Sequence, residues 1–224
     1  MKRINRALPF ILLAALPGCG RIIDWGSTIF YQGDEIVDLA TRVAPFIRSV
    51  TILDQLETKA TFEILWLNDT VRTVYSELHI LRQGKTEQKL QAVLRRQLEE
   101  NNLYISFYVL SLHDVKLGIP ESQWTFFIRV NDNEYHPCEI KEVLDLPYEY
   151  QVFFGKKWNR FKVPYLMRFR ANDMTTNSPI INEETSRLTL IARSAHKEHA
   201  FVWQLIPEPE APAPIVKKRR GKKS

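Results

Sequence analysis

Between Thr61 and Leu67 the chain reads TFEILWL, apolar at every second position, so Phe62, Ile64 and Trp66 fall on one face of an extended strand. The period then changes. Val71, Val74, Tyr75, Leu78 and Leu81 make one stripe of a helix, with Asn68 or Asp69 as its N-cap and Gly84 in the position after its end. Thr86 caps a second helix, EQKLQAVLRRQLEENN, whose apolar face is Leu90, Val93, Leu94 and Leu98. On its wet side Arg95 pairs with Glu99 and Arg96 with Glu100 at i,i+4 spacing. The two helices form a hairpin.

After Asn102 the period returns to two. LYISFYVLSL puts Ile105, Phe107 and Val109 on one face, with Tyr104, Ser106 and Tyr108 opposite. WTFFIRVN aligns Trp124, Phe126, Ile128 and Val130; FKVPYLMRFRA aligns Val163, Tyr165, Met167 and Phe169. EYHPCEIKEV is a weaker strand, in which Pro137 argues for an edge or a bulge. RLTLIAR and HAFVWQL complete the set, joined by the loop SAHKEH. Upstream, Ile36, Leu39, Ala40 and Val43 have helical spacing behind Asp34, Pro45 ends that run, and SVTILDQL reads as extended.

Alternating strands of this length and spacing predict a mainly β fold: an antiparallel β-sandwich of immunoglobulin-like architecture, with the helical hairpin at about 69–101 inserted after the first strand. The alternation implies sheets with one buried and one wet face. The competing arrangement is an α+β domain with the helices packed on a single sheet. The boundaries read as 1–18 for a signal peptide, 19–57 for an anchored segment with a helix, 58–206 for the sandwich, and 207–224 for a proline-rich linker and basic tail.

Charge changes the picture at the two ends. The net charge is +5, yet Lys2, Arg3 and Arg6 lie in the first six residues, and Lys217, Lys218, Arg219, Arg220, Lys222 and Lys223 in the last eight. Cys19 to Ile206 therefore carries a small negative balance, which disfavours a phosphate-tracking groove in the body; no nucleic-acid partner is expected. Pro207, Pro209, Pro212 and Pro214 favour an extended polyproline II spacer before the six cations. Such a tail suits an anionic lipid surface, an acidic envelope polymer or an acidic protein patch. KKRR alone also fits a nuclear import signal, a reading that competes with the N-terminus described next.

The basic start is followed by an uncharged run from Ala7 to Gly20, too short for a membrane span of roughly 20 residues and without the polar stripe of a core helix. A basic stretch, a short apolar stretch and small residues describe a secretory signal. Leu16-Pro17-Gly18-Cys19 resembles the lipobox of bacterial lipoproteins, with Pro17 where that class usually carries Ala, Ser or Thr. The resemblance covers only the first 20 residues. It implies cleavage before Cys19, a diacylglyceryl thioether on its sulfur and frequent acylation of the new amino group. Gly20, in place of the aspartate that the class uses for inner-membrane retention, implies an outer-membrane protein facing the periplasm if the cell has two membranes.

A search for chemistry finds little. No G-x-S-x-G, P-loop, G-x-G-x-x-G or H-E-x-x-H occurs, and Cys138, left alone once Cys19 is lipidated, reads as a buried thiol. His113-Asp114 sits at a strand end. His196 and His199 flank Lys197 and Glu198 in a turn, where a metal shared with Glu198 is the less common state of such histidines. Tyr108, Phe127 and Tyr165 are candidates for an aromatic surface, although packing beneath the helices is their simpler fate. Trp158 with Lys156, Lys157 and Arg160 is the aromatic-plus-cation cluster best suited to a ligand. No catalytic residues, metal or cofactor are assigned. The expectation is a membrane-anchored, non-catalytic envelope lipoprotein that presents a binding or scaffolding domain to an envelope protein or anionic polymer. An envelope enzyme, such as a metal-assisted hydrolase, and a polyanion binder acting through its tail are the alternatives.

Overall fold

A computed structural model describes residues 34–54, 57–84, 86–112 and 114–206. A helix, α1 (34–43), leads into a short 3-10 turn and then β1 (Ile47–Asp54) and β2 (Glu57–Trp66). Next come α2 (Asp69–Gln83), α3 (Glu87–Leu103), β3 (Tyr104–Leu112), β4 (Thr125–Val130), β5 (Asn133–Tyr135) and β6 (Glu139–Glu142). The chain finishes with α4 (Tyr148–Phe154), β7 (Lys162–Arg170), β8 (Arg187–Arg193) and β9 (Glu198–Gln204). Two antiparallel sheets, ordered β1-β2-β3-β7-β6 and β5-β4-β8-β9, face one another as a β-sandwich. The strand order is not the Greek-key order of immunoglobulin domains, because β1, β2 and β3 form a meander within one sheet.

The alternating positions read from the sequence fill the space between the sheets. Phe62, Ile64 and Trp66 from β2, Phe107 and Val109 from β3, and Met167 and Phe169 from β7 meet Phe126, Ile128, Leu190, Phe201 and Trp203 from the second sheet. Edge-on aromatic pairs such as Phe62–Phe126 (5.3 Å) and Phe107–Phe169 (5.9 Å) lock the interdigitation. Trp203 closes the open side. Its indole Nε1 donates to the Phe46 carbonyl (3.1 Å), while the Arg48 guanidinium lies over its ring and donates to the edge carbonyl of Val202 (2.9 Å).

The expectation of one wet face fails for the five-stranded sheet, and the four-stranded sheet also buries Phe127, Thr189 and Ile191 at the centre of its outer face. Seven consecutive residues of β3 are buried, because α1, α2 and α4 cover the outer face of the five-stranded sheet. That second core gathers Leu65, Leu67, Tyr108 and Leu110 from the sheet with Leu39, Val43, Val71, Val74, Leu78, Tyr150 and Phe153 from the helices. The predicted insertion thus folds back as a third layer. Residues 34–54 belong to the same packed body: Val43 is fully buried, Arg42 pairs with Glu77 of α2 at 2.7 Å, and β1 pairs along β2. None of the helices among the described residues is long and apolar enough to cross a membrane.

Local chemistry sets the ends of these elements. The Asn68 side chain accepts from the Val71 N–H at the start of α2, and Gly84 ends it in the left-handed region at φ 57°. Asn131 and Asp132, both at positive φ, make the tight β4–β5 turn, a conformation that Asn and Asp tolerate better than most residues. Pro137 does more than mark an edge: it divides the expected strand into β5 and β6, which belong to different sheets. Pro164 is tolerated within β7 because its carbonyl bonds Val143 on the side where β6 has already ended, so no carbonyl there requires its missing N–H.

Candidate functional site

The sequence-selected cluster at 156–160 is divided by the fold. Trp158 is half-buried and packs on the helix-side core. Lys157 donates to Ser49 Oγ and lies 3.6 Å from a Glu63 oxygen, whose other oxygen pairs with Lys162 at 3.1 Å. Glu63 is buried, so the two lysines compensate a carboxylate that would otherwise be costly to hold there. Lys156 is exposed, and Arg160 lies over the ring of exposed Phe161 at 4.9 Å. Two of the four residues therefore hold the β1–β2 face against the loop.

The other candidates also separate. Tyr108 packs beneath α4 against Tyr150 at 4.7 Å, Phe127 lies on the outer face of the four-stranded sheet beneath Arg193 at 4.4 Å, and Tyr165 points between the sheets. The three rings form no common surface. Cys138 is exposed rather than buried: the β5–β6 crossover carries it past the end of the core, where its thiol donates to the Arg168 carbonyl at 3.3 Å. His199 is half-buried against Phe201 at 4.8 Å, and burial lowers its proton affinity. Glu198 pairs with Arg193 at 2.6 Å, and His196 is exposed. Among the described residues no group of three or more His, Cys, Asp or Glu side chains is placed to hold a metal. Cys19, His113 and the six tail cations lie outside the described residues.

A polar layer that the sequence concealed lies between the five-stranded sheet and the helices. Arg72, buried on α2, donates to Asn101 Oδ1 (2.5 Å) and Gln97 Oε1 (2.8 Å) of α3 and pairs with Glu100 at 3.1 Å. Glu100 also lies 3.7 Å from Arg168 of β7. The expected Arg95–Glu99 pair forms at 2.9 Å, whereas Glu100 turns inward to Arg72 and Arg168 instead of pairing with Arg96 on the wet face. Beside them, burial pushes Tyr150 well up and Tyr108 up to about 12. This layer fixes the end of α3, and with it the wall of a cleft.

That cleft, of about 500 Å³, opens at the end of the sandwich where β2 passes into α2 and α3 into β3. Trp66, Ile105 and Ile181 give it apolar lining, and Thr70, Asn102 and Asn172 are exposed polar groups on it. Its walls are held from within. Asn101 receives Arg72 and donates to Asp69 at 2.7 Å, and the opposite loop closes through Ile180 N–H to Ala171 O (2.8 Å). In that loop Asp173 accepts from the N–H groups of Thr175 and Thr176, which lowers its pKa. Asn102 and Asn172 make no side-chain hydrogen bond to any described residue. A second cleft of about 360 Å³ shares Asn102, Tyr104 and Asn172, and a third of about 540 Å³ continues past Arg170 and Met174 to His136 and Cys138. Their shared walls make one groove across this end. Its residues come from NDT, ENNLY and RANDM, each of which reads alone as a cap or turn signal. No protein-family model, curated protein or solved structure matches the chain.

Proposed function

We propose that this protein is a lipid-anchored envelope protein, tethered through Cys19, whose sandwich is a non-catalytic binding module. The observation that carries the reading is the Leu16–Cys19 lipobox-like segment behind a basic start and a short apolar run. Two or three acyl chains hold a protein on a bilayer where one binds only marginally. The body supports the binding half: its end groove is built from amides, hydroxyls and apolar floor on a braced frame, which suits holding a ligand. The outer membrane, facing the periplasm, is the proposed location. The basic tail from Lys217 to Lys223 would add a salt-sensitive grip on an anionic envelope surface.

The test is metabolic labelling with radioactive palmitate in a bacterial host, followed by membrane fractionation. Label and membrane retention in the native chain, both lost in Cys19→Ser, are expected. Equal labelling of the two chains would refute the anchor.

A further inference from the structure

We propose that the groove across the end of the sandwich binds a neutral oligosaccharide, with Asn102 and Asn172 as its principal hydrogen-bonding groups. The inference rests on the reading of the body as a binding module and names that module's ligand class. Three features of the groove point to this chemistry.

The first is charge. Among the described residues Asp69 is the only charged one lining the first cleft, and the next adds Arg170 and Asp173, one of each sign. A polyanion needs an excess of cations, and none is present along these two clefts. The second is the kind of polar group. A carboxamide offers donor and acceptor side by side, a match for adjacent sugar hydroxyls, which both give and accept. Asn102 and Asn172 line both of these clefts with their amides uncommitted to the fold, and Thr70 adds a hydroxyl. The third is the floor. Trp66 and Ile105, both buried, close the bottom, and half-buried Tyr104, held by the Arg168 guanidinium over its ring at 5.2 Å, supplies the accessible aromatic ring. Such fixed apolar and aromatic surfaces accept the C–H faces of pyranose rings. The groove runs on through adjoining clefts of about 500, 360 and 540 Å³, which favours several linked units over a single sugar.

The braced walls matter for affinity. Asn101, bonded to both Arg72 and Asp69, fixes the backbone that presents Asn102. The Asn172↔Pro179 bridge fixes the opposite wall. Little ordering is then left to be done on binding.

The experiment is isothermal titration of the full-length chain in neutral detergent with triacetylchitotriose, cellotriose and heparin, at low and high salt. The expected result is saturable binding of at least one neutral trisaccharide, insensitive to salt, weakened at least tenfold in the Asn102→Ala/Asn172→Ala chain. Both residues make no internal bond, and Thr70→Val provides a second, independent weakening if the double variant fails to fold. Three results would overturn the proposal: no heat from either neutral trisaccharide at millimolar concentration, binding unchanged by all of these substitutions, or binding of heparin alone. Palmitate labelling reads Cys19 and not the groove. A chain that takes label yet binds no saccharide therefore sinks this inference alone, and a chain that binds saccharide without label sinks only the anchor.

Discussion

Alkaline pH should unfold this protein through the phenols beneath its helices, and Tyr108→Phe isolates one of them. Tyr108 is 9% exposed, with its ring against Tyr150, and burial is the main reason its pKa rises from the usual 10 to about 12; Tyr75 adds to the effect. The folded state therefore holds this proton more tightly than the unfolded chain. Its contribution is fully present below pH 10 and is lost as pH rises toward 12. At about 1.36 kcal/mol per pH unit, the loss is roughly 1.4 kcal/mol by pH 11 and approaches ~2.7 kcal/mol above pH 12. Urea unfolding of the native and Tyr108→Phe chains from pH 9 to 11 measures it, since the titration of lysines and of tyrosines distant from Tyr108 cancels in the difference and the coupling to Tyr75 and Tyr150 is secondary to burial. Any hydrogen bond of the hydroxyl adds only a pH-independent offset. The stability difference should shift by about 1.4 kcal/mol toward the variant over this range. A difference that stays flat would show that Tyr108 is hydrated in the folded state, and the account of this layer would fail.

Three further outcomes follow from the packing. Gly118 sits at φ 72° with the space for a Cβ only 2.6 Å from the Ile140 carbonyl, whereas Gly84 at φ 57° faces open space; Gly118→Ala should cost several kcal/mol in chemical denaturation and Gly84→Ala about 1 kcal/mol. Arg72→Ala should cost about 3–5 kcal/mol and Arg72→Met less than half as much, since methionine restores volume while Glu100 keeps Arg168; equal losses would mean that the guanidinium, not its bulk, is what counts. In the folded Cys19→Ser chain, Cys138 should react with a chromogenic disulfide without prior unfolding, and protection until unfolding would contradict its exposure.

How far the sequence discloses this molecule depends on the range of the interactions involved. Strands β2, β3, β4, β7, β8 and β9 follow from period-two alternation because their inward faces meet a continuous apolar layer. Helix α2 is legible from Asn68 to Gly84 because its caps are local. Helix α4 is not legible, since YEYQVFF is aromatic and β-branched and is helical only through the packing of Tyr150, Phe153 and Phe154 beneath its neighbours. The same override hid the second buried face. Ser106 and Tyr108 look like the wet side of a strand, and they are covered only because α2, with α1 and α4 from distant parts of the chain, packs on the outer face of their sheet. Arg72 illustrates the cost of such hiding, for an arginine within a helix is ordinarily a surface residue and this one is 2% exposed.

The groove was illegible for a different reason, which bears on what it does. Asn68, Asn101, Asn102 and Asn172 each stand where a chain turns, so each has a sufficient local explanation. Only Asn68 is used that way. Asn68 caps α2 and Asn101 is committed to Arg72 and Asp69, while the amides of Asn102 and Asn172 bond nothing in the described fold. A side chain needed only to end a helix or start a loop would bond its own backbone, as Asn68 does. These two instead line the same clefts, reached from α3 on one side and from the loop after β7 on the other. Their convergence is a property of the tertiary structure, and it distinguishes the end of the sandwich from the Trp158 loop, where the residues adjacent in sequence are divided between core and solvent.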